Sequence, residues 1–328
     1  MPAELLRPHE VEPLPTTVIL FPGQGSQAVG MGQELCKHYP TARIIYQEAD
    51  EILGVRISEI SHKGPIETLT ETINAQPAIF VNSHACLRIL EEQGGIIHRP
   101  EFVAGHSLGE YNALVAGGAI SFEEGLRLVN ERAQGMQQAC RENPGGMLAV
   151  ISPTIEAIDH LREKFGLEVS TLNTDDQIVI GGGQEAIAEA EAWLATERIS
   201  AKRLNVAGAF HTSLMKPAVG RLEKALETVD ISDSQIPIIA NITAKPLTNA
   251  ADIKRELLDQ LTNTVRWKDV IDLIAKQDIQ RTLEVGEAGI LTKMHNRIVG
   301  GVIVGAVATT VTGITAAILW HSHRHEPD

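Results

Sequence analysis

The chain has 328 residues, 43% of them apolar, and a formal net charge of −14. That is chain enough for one large α/β domain, or a domain with a smaller insert, and the acidic balance argues against nucleic acid as a partner because phosphate repels a negative surface. The three cysteines, Cys36, Cys86 and Cys140, form no CxxC pair, so no disulfide framework or zinc site is implied and a reducing cytoplasm is the simplest home.

Residues 1–15 read as an N-terminal extension without the basic stretch and apolar run of a secretory signal. "TTVILFP" is a β-branched run that ends at Pro22 and predicts a strand. Gly23, Gly25 and Ala28 behind it fit G-x-G-x-x-A, the loop of a dinucleotide site. Such a site also needs an acid at the end of the second strand, and Glu48 and Asp50 fall inside a helical pattern instead. That pattern covers residues 31–53 and is expected to break near Pro40. Residues 77–94 have helical spacing and end at Gly94, and "EFVAG" predicts the next strand.

That strand runs into Gly105-His106-Ser107-Leu108-Gly109, a G-x-S-x-G pattern. Glycines there let a strand turn sharply into a helix and leave the serine hydroxyl exposed on a strained backbone. A helix starting at the serine would aim free N–H groups at whatever the hydroxyl attacks, which suits acyl transfer through a covalent ester. The same pentapeptide also occurs in ordinary strand-to-helix turns, so the rest of the chain must decide.

After Pro144 the order is strand, helix, strand, strand, helix, strand, the ferredoxin-like βαββαβ pattern. The reading is a hydrolase-like α/β large domain with a parallel sheet, formed by residues 16–140 and 206–328, into which a ferredoxin-like small subdomain, 141–205, is inserted. "IPIIAN" and "RTLEV" read as further large-sheet strands, and "IKRELLDQL" and "WKDVIDLIAKQ" as helices. A base for Ser107 should be a histidine distant in sequence. His106 is adjacent and should point away on a tight turn, whereas His211 in "AGAFHTSLMKP" follows the insert beside small residues.

The uncharged segment 298–320 admits two readings. It is long enough to span a bilayer and holds Gly301 and Gly305 in a G-x-x-x-G pair. It also reads as the end of a helix, a buried strand "VIVGAVA" and a last helix "TGITAAILW". "HSHRH" beyond it could bind a metal or simply be a mobile tail.

"FPGQGSQ", "GHSLGEY", "ERAQGMQ", "AFHTSLMKP" and "QLTNTVRW" together resemble the malonyl-CoA:acyl-carrier-protein transacylases, including free-standing acyltransferases of polyketide synthases, over residues 17–320. The resemblance implies Ser107 as nucleophile and His211 as its base, oriented by a main-chain carbonyl at Gln260. It implies the N–H groups of Gln24 and Leu108 as an oxyanion hole, and Arg132 as the grip on the free carboxylate of malonate. A guanidinium fork suits that task because it binds a carboxylate bidentately and stays charged. Phe210, His106 and Asn173 are implied as further substrate-binding positions, with Phe210 crowding any branching methyl. "EVGEAGIL" replaces the family's Gly-Pro-Gly run and Thr171 stands where an asparagine is common. The implied reaction moves malonyl from malonyl-CoA to the phosphopantetheine thiol of an acyl carrier protein in two ping-pong stages, for fatty-acid or polyketide synthesis. No metal or redox cofactor is expected, and a cytoplasmic monomer is. A proofreading hydrolase of carrier-bound acyl chains is the alternative. Lys202, Arg203, Lys216, Lys245 and Arg266 are candidates for a basic patch that meets the acidic carrier.

Overall fold

The structure is a computed structural model that describes residues 16–94, 99–287, 289–299 and 304–307. Ten strands fall into two sheets among these residues. In chain order they are β1 (Thr17–Phe21), β2 (Phe102–Gly105), β3 (Gly145–Ile151), β4 (Glu168–Thr174), β5 (Gln177–Gly183), β6 (Ala201–Arg203), β7 (Ile238–Ile239), β8 (Pro246–Leu247), β9 (Arg281–Val285) and β10 (Val304–Val307).

The large sheet has the order β10-β9-β1-β2-β7-β8 and is parallel except for the antiparallel β7–β8 pair at its edge. β1 lies at its centre with every residue buried, and its two faces feed two cores. Ile19 and Phe21 pack with the helices Pro40–Leu53, Thr72–Glu92 and Phe122–Glu142. Val18 and Leu20 pack with Trp267, Val270 and Ile271 of the helix Trp267–Ala275. A parallel sheet covered on both sides explains why these strands read as unbroken apolar runs.

The second sheet is antiparallel in the order β4-β5-β3-β6, the ferredoxin-like arrangement. Alternation along β3 gives it two faces. Leu148 and Val150 pack beneath the helices Ile155–Phe165 and Gln184–Thr196, while Met147 and Ala149 point toward the large domain.

Several boundaries differ from the sequence reading. The helix expected from Pro77 begins at Thr72, so the proline sits inside it. The helix after the elbow spans Gly109–Ala116 rather than starting at Ser107, whose φ of 51° cannot continue a right-handed helix. The helix of 31–53 is divided at extended Tyr39 into Gln33–His38 and Pro40–Leu53, as the proline requires. Within the segment offered as a membrane anchor, Val304–Val307 pair in parallel with β9, so no single helix runs through 298–320. No helix among the described residues is long and apolar enough to cross a membrane. The expected last helix and the "HSHRH" tail lie outside the described residues.

Candidate active site

β1 and β2 end side by side, and the elbow is squeezed between β1 and the helix Gly109–Ala116. A Cβ on Gly105 would lie 1.9 Å from the Gly109 carbonyl carbon, and one on Gly109 would lie 2.2 Å from the Phe21 carbonyl oxygen. Both positions therefore exclude any side chain. Ser107 is held in the left-handed region that its flanking geometry demands, a strain of order 1–3 kcal/mol that the surroundings must overcome. Asn241 does much of this. The Ser107 N–H donates to Asn241 Oδ1 at 2.7 Å, and Asn241 Nδ2 donates to the Gly105 carbonyl at 2.8 Å.

His211 comes from the chain that leaves the small sheet, also at positive φ (59°). Its Nε2 lies 2.7 Å from Ser107 Oγ and its Nδ1 lies 2.7 Å from the main-chain oxygen of Gln260. A carbonyl only accepts, so Nδ1 carries the proton and Nε2 turns its lone pair to the hydroxyl. Burial, reinforced by the charge of Arg132, pushes His211 down to about 3. The imidazole is thus neutral throughout the physiological range.

Arg132 lies midway along the helix Phe122–Glu142, whose start is fixed by a reciprocal capping box between Ser121 and Glu124. Only 1% of the side chain is exposed. Nη1 donates to Gln76 Oε1 at 2.7 Å, and Nη2 to Ser107 Oγ at 3.0 Å and Gln260 Oε1 at 2.9 Å. These partners are all neutral oxygens. Nε is buried with no hydrogen-bond partner, and among the described residues no carboxylate forms an ion pair with this guanidinium. A buried cation without a counter-ion is costly, and the arrangement fits a site that receives an anion.

The group lines a cavity of about 460 Å³ between the two sheets. Gln24 lies on its wall with its carboxamide held between Thr72 and Gln76. Leu108 is fully buried as the cap of the helix Gly109–Ala116, its N–H beside the serine. Phe210 joins Met136, Met147, Ala149 and Val179 on the apolar wall. His106 and Asn173 meet across the cavity floor. The Asn173 amide donates to Gln177 Oε1, so its oxygen accepts from His106 Nε2 at 3.0 Å. Thr171 also lines the cavity.

All nine residues implied by the resemblance thus surround one cavity or the elbow beneath it. Three others there had no part in the sequence reading. Gln76 bridges Arg132 and Gln24 from a mostly buried helix, Asn241 brackets the elbow, and Glu110 touches Gln260. Of the basic candidates, Arg203 and Arg266 form exposed ion pairs with Glu191 and Asp269. Lys202 is exposed and opposite Ala149 in the β3–β6 ladder, which puts it on the cavity side of the small sheet.

Residues 18–312 match the model of the acyl transferase domain family. The malonyl CoA-acyl carrier protein transacylase of Bacillus subtilis strain 168 is 39% identical over 287 residues, which cover 85% of this chain and 89% of the relative. The crystal structure of a malonyl-CoA:acyl carrier protein transacylase from Xanthomonas oryzae pv. oryzae superposes with a TM-score of 0.89 at 34% identity, covering 94% of this chain and 98% of that one. A malonyl-transacylase solved with its type II polyketide-synthase acyl carrier protein superposes at 0.87 with 33% identity, covering 93% and 99%.

Proposed function

This chain belongs to the acyl transferase family that includes the malonyl CoA-acyl carrier protein transacylases, and as an acyltransferase of that family we propose that it moves malonyl from malonyl-CoA to the phosphopantetheine thiol of an acyl carrier protein through an ester on Ser107. Ser107 Oγ attacks the thioester carbonyl as His211 Nε2 takes its proton. The tetrahedral oxyanion faces the N–H groups of Gln24 and Leu108. Collapse expels the CoA sulfur, which receives the proton from His211. The carrier thiol then gives its proton to His211 and attacks the ester, and collapse returns the proton to Ser107. One oxyanion hole serves both halves, and each donor contributes on the order of 100- to 1000-fold in rate. Electrons and protons balance without a metal or redox cofactor. Main-chain orientation of His211 by Gln260 replaces the carboxylate of other triads.

The observation that carries the malonyl reading is Arg132. Its fork lies 3.0 Å from the serine oxygen, buried and without a carboxylate partner. In a malonyl ester the free carboxylate is two bonds beyond the ester carbonyl, so a cation beside the hydroxyl is within its reach. A hydrolase of neutral acyl chains would bear the cost of that buried charge for nothing. Phe210 on the apolar wall supports an unbranched acyl group. The relatives' named activity and the carrier-bound neighbour support an acyl carrier protein of fatty-acid or polyketide synthesis as acceptor, and the three free cysteines fit a cytoplasmic reaction. Incubation with malonyl-CoA and a phosphopantetheinylated carrier protein, read by mass spectrometry, should give malonyl-carrier. Free malonate as the main product would favour the hydrolase.

A further inference from the structure

We infer that Glu110 is a positioning residue for acyl selection: through the Gln260 carboxamide it fixes the guanidinium of Arg132 in its substrate-facing pose. The inference rests on the transferase reading above. Glu110 lies in the first turn of the helix Gly109–Ala116 and only 1% of it is exposed. One carboxyl oxygen accepts from Gln260 Nε2 and the other from the Asn241 N–H at 3.2 Å. Asn241 is the residue that brackets the elbow, so Glu110 is anchored to the same scaffold as Ser107.

Gln260 has its amide orientation dictated on both ends. Nε2 faces two acceptors, the Ser107 carbonyl at 2.9 Å and Glu110, while Oε1 faces the donors of Arg132 at 2.9 Å. Replacing the Glu110 acceptor with a donor would set one N–H against another. The amide would have to shift away from that donor, and the shift draws its Oε1 off the guanidinium. The main-chain oxygen that orients His211 does not take part in that shift. Loss of Glu110 therefore disturbs Arg132 far more than the Ser107–His211 pair.

The acid also stands one amide away from the cation instead of against it. Burial and the neighbouring Glu256 carboxyl, which accepts from the Ile242 N–H, push Glu110 well above the usual carboxylate range. Among the described residues Glu110 makes no ion pair with Arg132, because the Gln260 amide stands between them, so the guanidinium stays available for the substrate carboxylate. Gln260 and Glu256 reach it from the helix Ala250–Gln260, Arg132 from the helix Phe122–Glu142 and Tyr111 from its own helix.

Glu110→Gln keeps the size of the side chain and replaces one of its two acceptor oxygens with a donor. The readout is the rate of acyl-enzyme formation from malonyl-CoA and from acetyl-CoA, with thermal unfolding measured alongside. The malonyl-to-acetyl ratio should fall about 10- to 100-fold while the acetyl rate changes by less than about threefold. Equal losses for both donors, or an unchanged ratio in a folded variant, would overturn the inference and leave the transferase reading intact. If Glu110→Gln does not fold, Glu110→Asp, one methylene short of Gln260, must show the same fall in ratio. A wild type with no malonyl preference would overturn the transferase reading and the inference with it.

Discussion

Arg132 and His211 share one electrostatic environment but respond to it in opposite ways. Burial lowers both pKa values, yet the guanidinium keeps its proton while the imidazole stays unprotonated down to about pH 3. His211 is thus held below its ordinary 6.5, so the base form is present wherever the protein is folded. Ester formation from malonyl-CoA should show no acid limb near pH 6 to 7 and should hold its kcat/KM down to about pH 5. A half-loss near 6.5 would place an ordinary histidine in the rate-limiting step. The same shift has a stability cost. The unfolded chain binds a proton at this histidine below 6.5 and the folded one does not, so its contribution is full above 6.5 and is lost as pH falls toward 3. If Arg132 is the anion grip proposed above, Arg132→Ala should cost malonyl loading about 2–5 kcal/mol, while acetyl loading stays within about tenfold. Equal losses in steady-state kinetics with both donors would remove Arg132 from that role. These two residues were visible in the sequence because they sit in short motifs. Gln76 and Asn241 were not, because no motif marked them and only the fold brings them to Arg132 and the elbow; Glu110 sat in the "GHSLGEY" run, but its bond to Gln260 is non-local.

Among the elements, the elbow and the last strand depend most on their neighbours. The G-x-S-x-G pattern announced a sharp turn, and the close approach of β1 explains why neither glycine can be replaced. Gly105→Ala should destabilise by more than about 3 kcal/mol in denaturant unfolding, since backbone rather than a flexible side chain blocks the new methyl. A near-wild-type midpoint would mean the turn is looser than described. β10 was legible as a β-branched, glycine-rich run, yet its composition equally fitted a bilayer span. What separates the two is pairing with β9, a non-local fact. Ending the chain after Val299 removes that strand and exposes one edge of a sheet buried on both faces. The truncated protein should be recovered mostly as aggregate, and a soluble, fully active truncation would argue that β10 is dispensable. Helix ends were read less well. The spacing put the helix at residues 77–94, but it starts earlier, at Thr72, with Pro77 inside it.

At the scale of the whole molecule, two sheets enclose the cavity, and a protein of net charge −14 needs a local basic patch if the proposed carrier is acidic. Of the basic candidates, Lys202 stands on the cavity side of the small sheet, whereas Arg203 and Arg266 are engaged by Glu191 and Asp269. Lys202→Glu should raise the KM for the carrier protein several-fold and leave loading from malonyl-CoA unchanged. Equal KM values for the reversals at 202, 203 and 266 would refute a local patch. The parallel large sheet and the βαββαβ order of the smaller antiparallel one were legible from strand–helix alternation, but the distances at which Ser107, His211, Arg132 and Gln260 meet were not, since spacing in sequence carries no distance. The most direct test of that meeting is the intact mass of the protein after brief mixing with malonyl-CoA, followed by peptide mapping. The account predicts one malonyl adduct, on Ser107, discharged by the carrier thiol and absent from Ser107→Ala. An adduct that persists in Ser107→Ala, or wild-type turnover with no acyl-enzyme detectable on the time scale of the reaction, would contradict it.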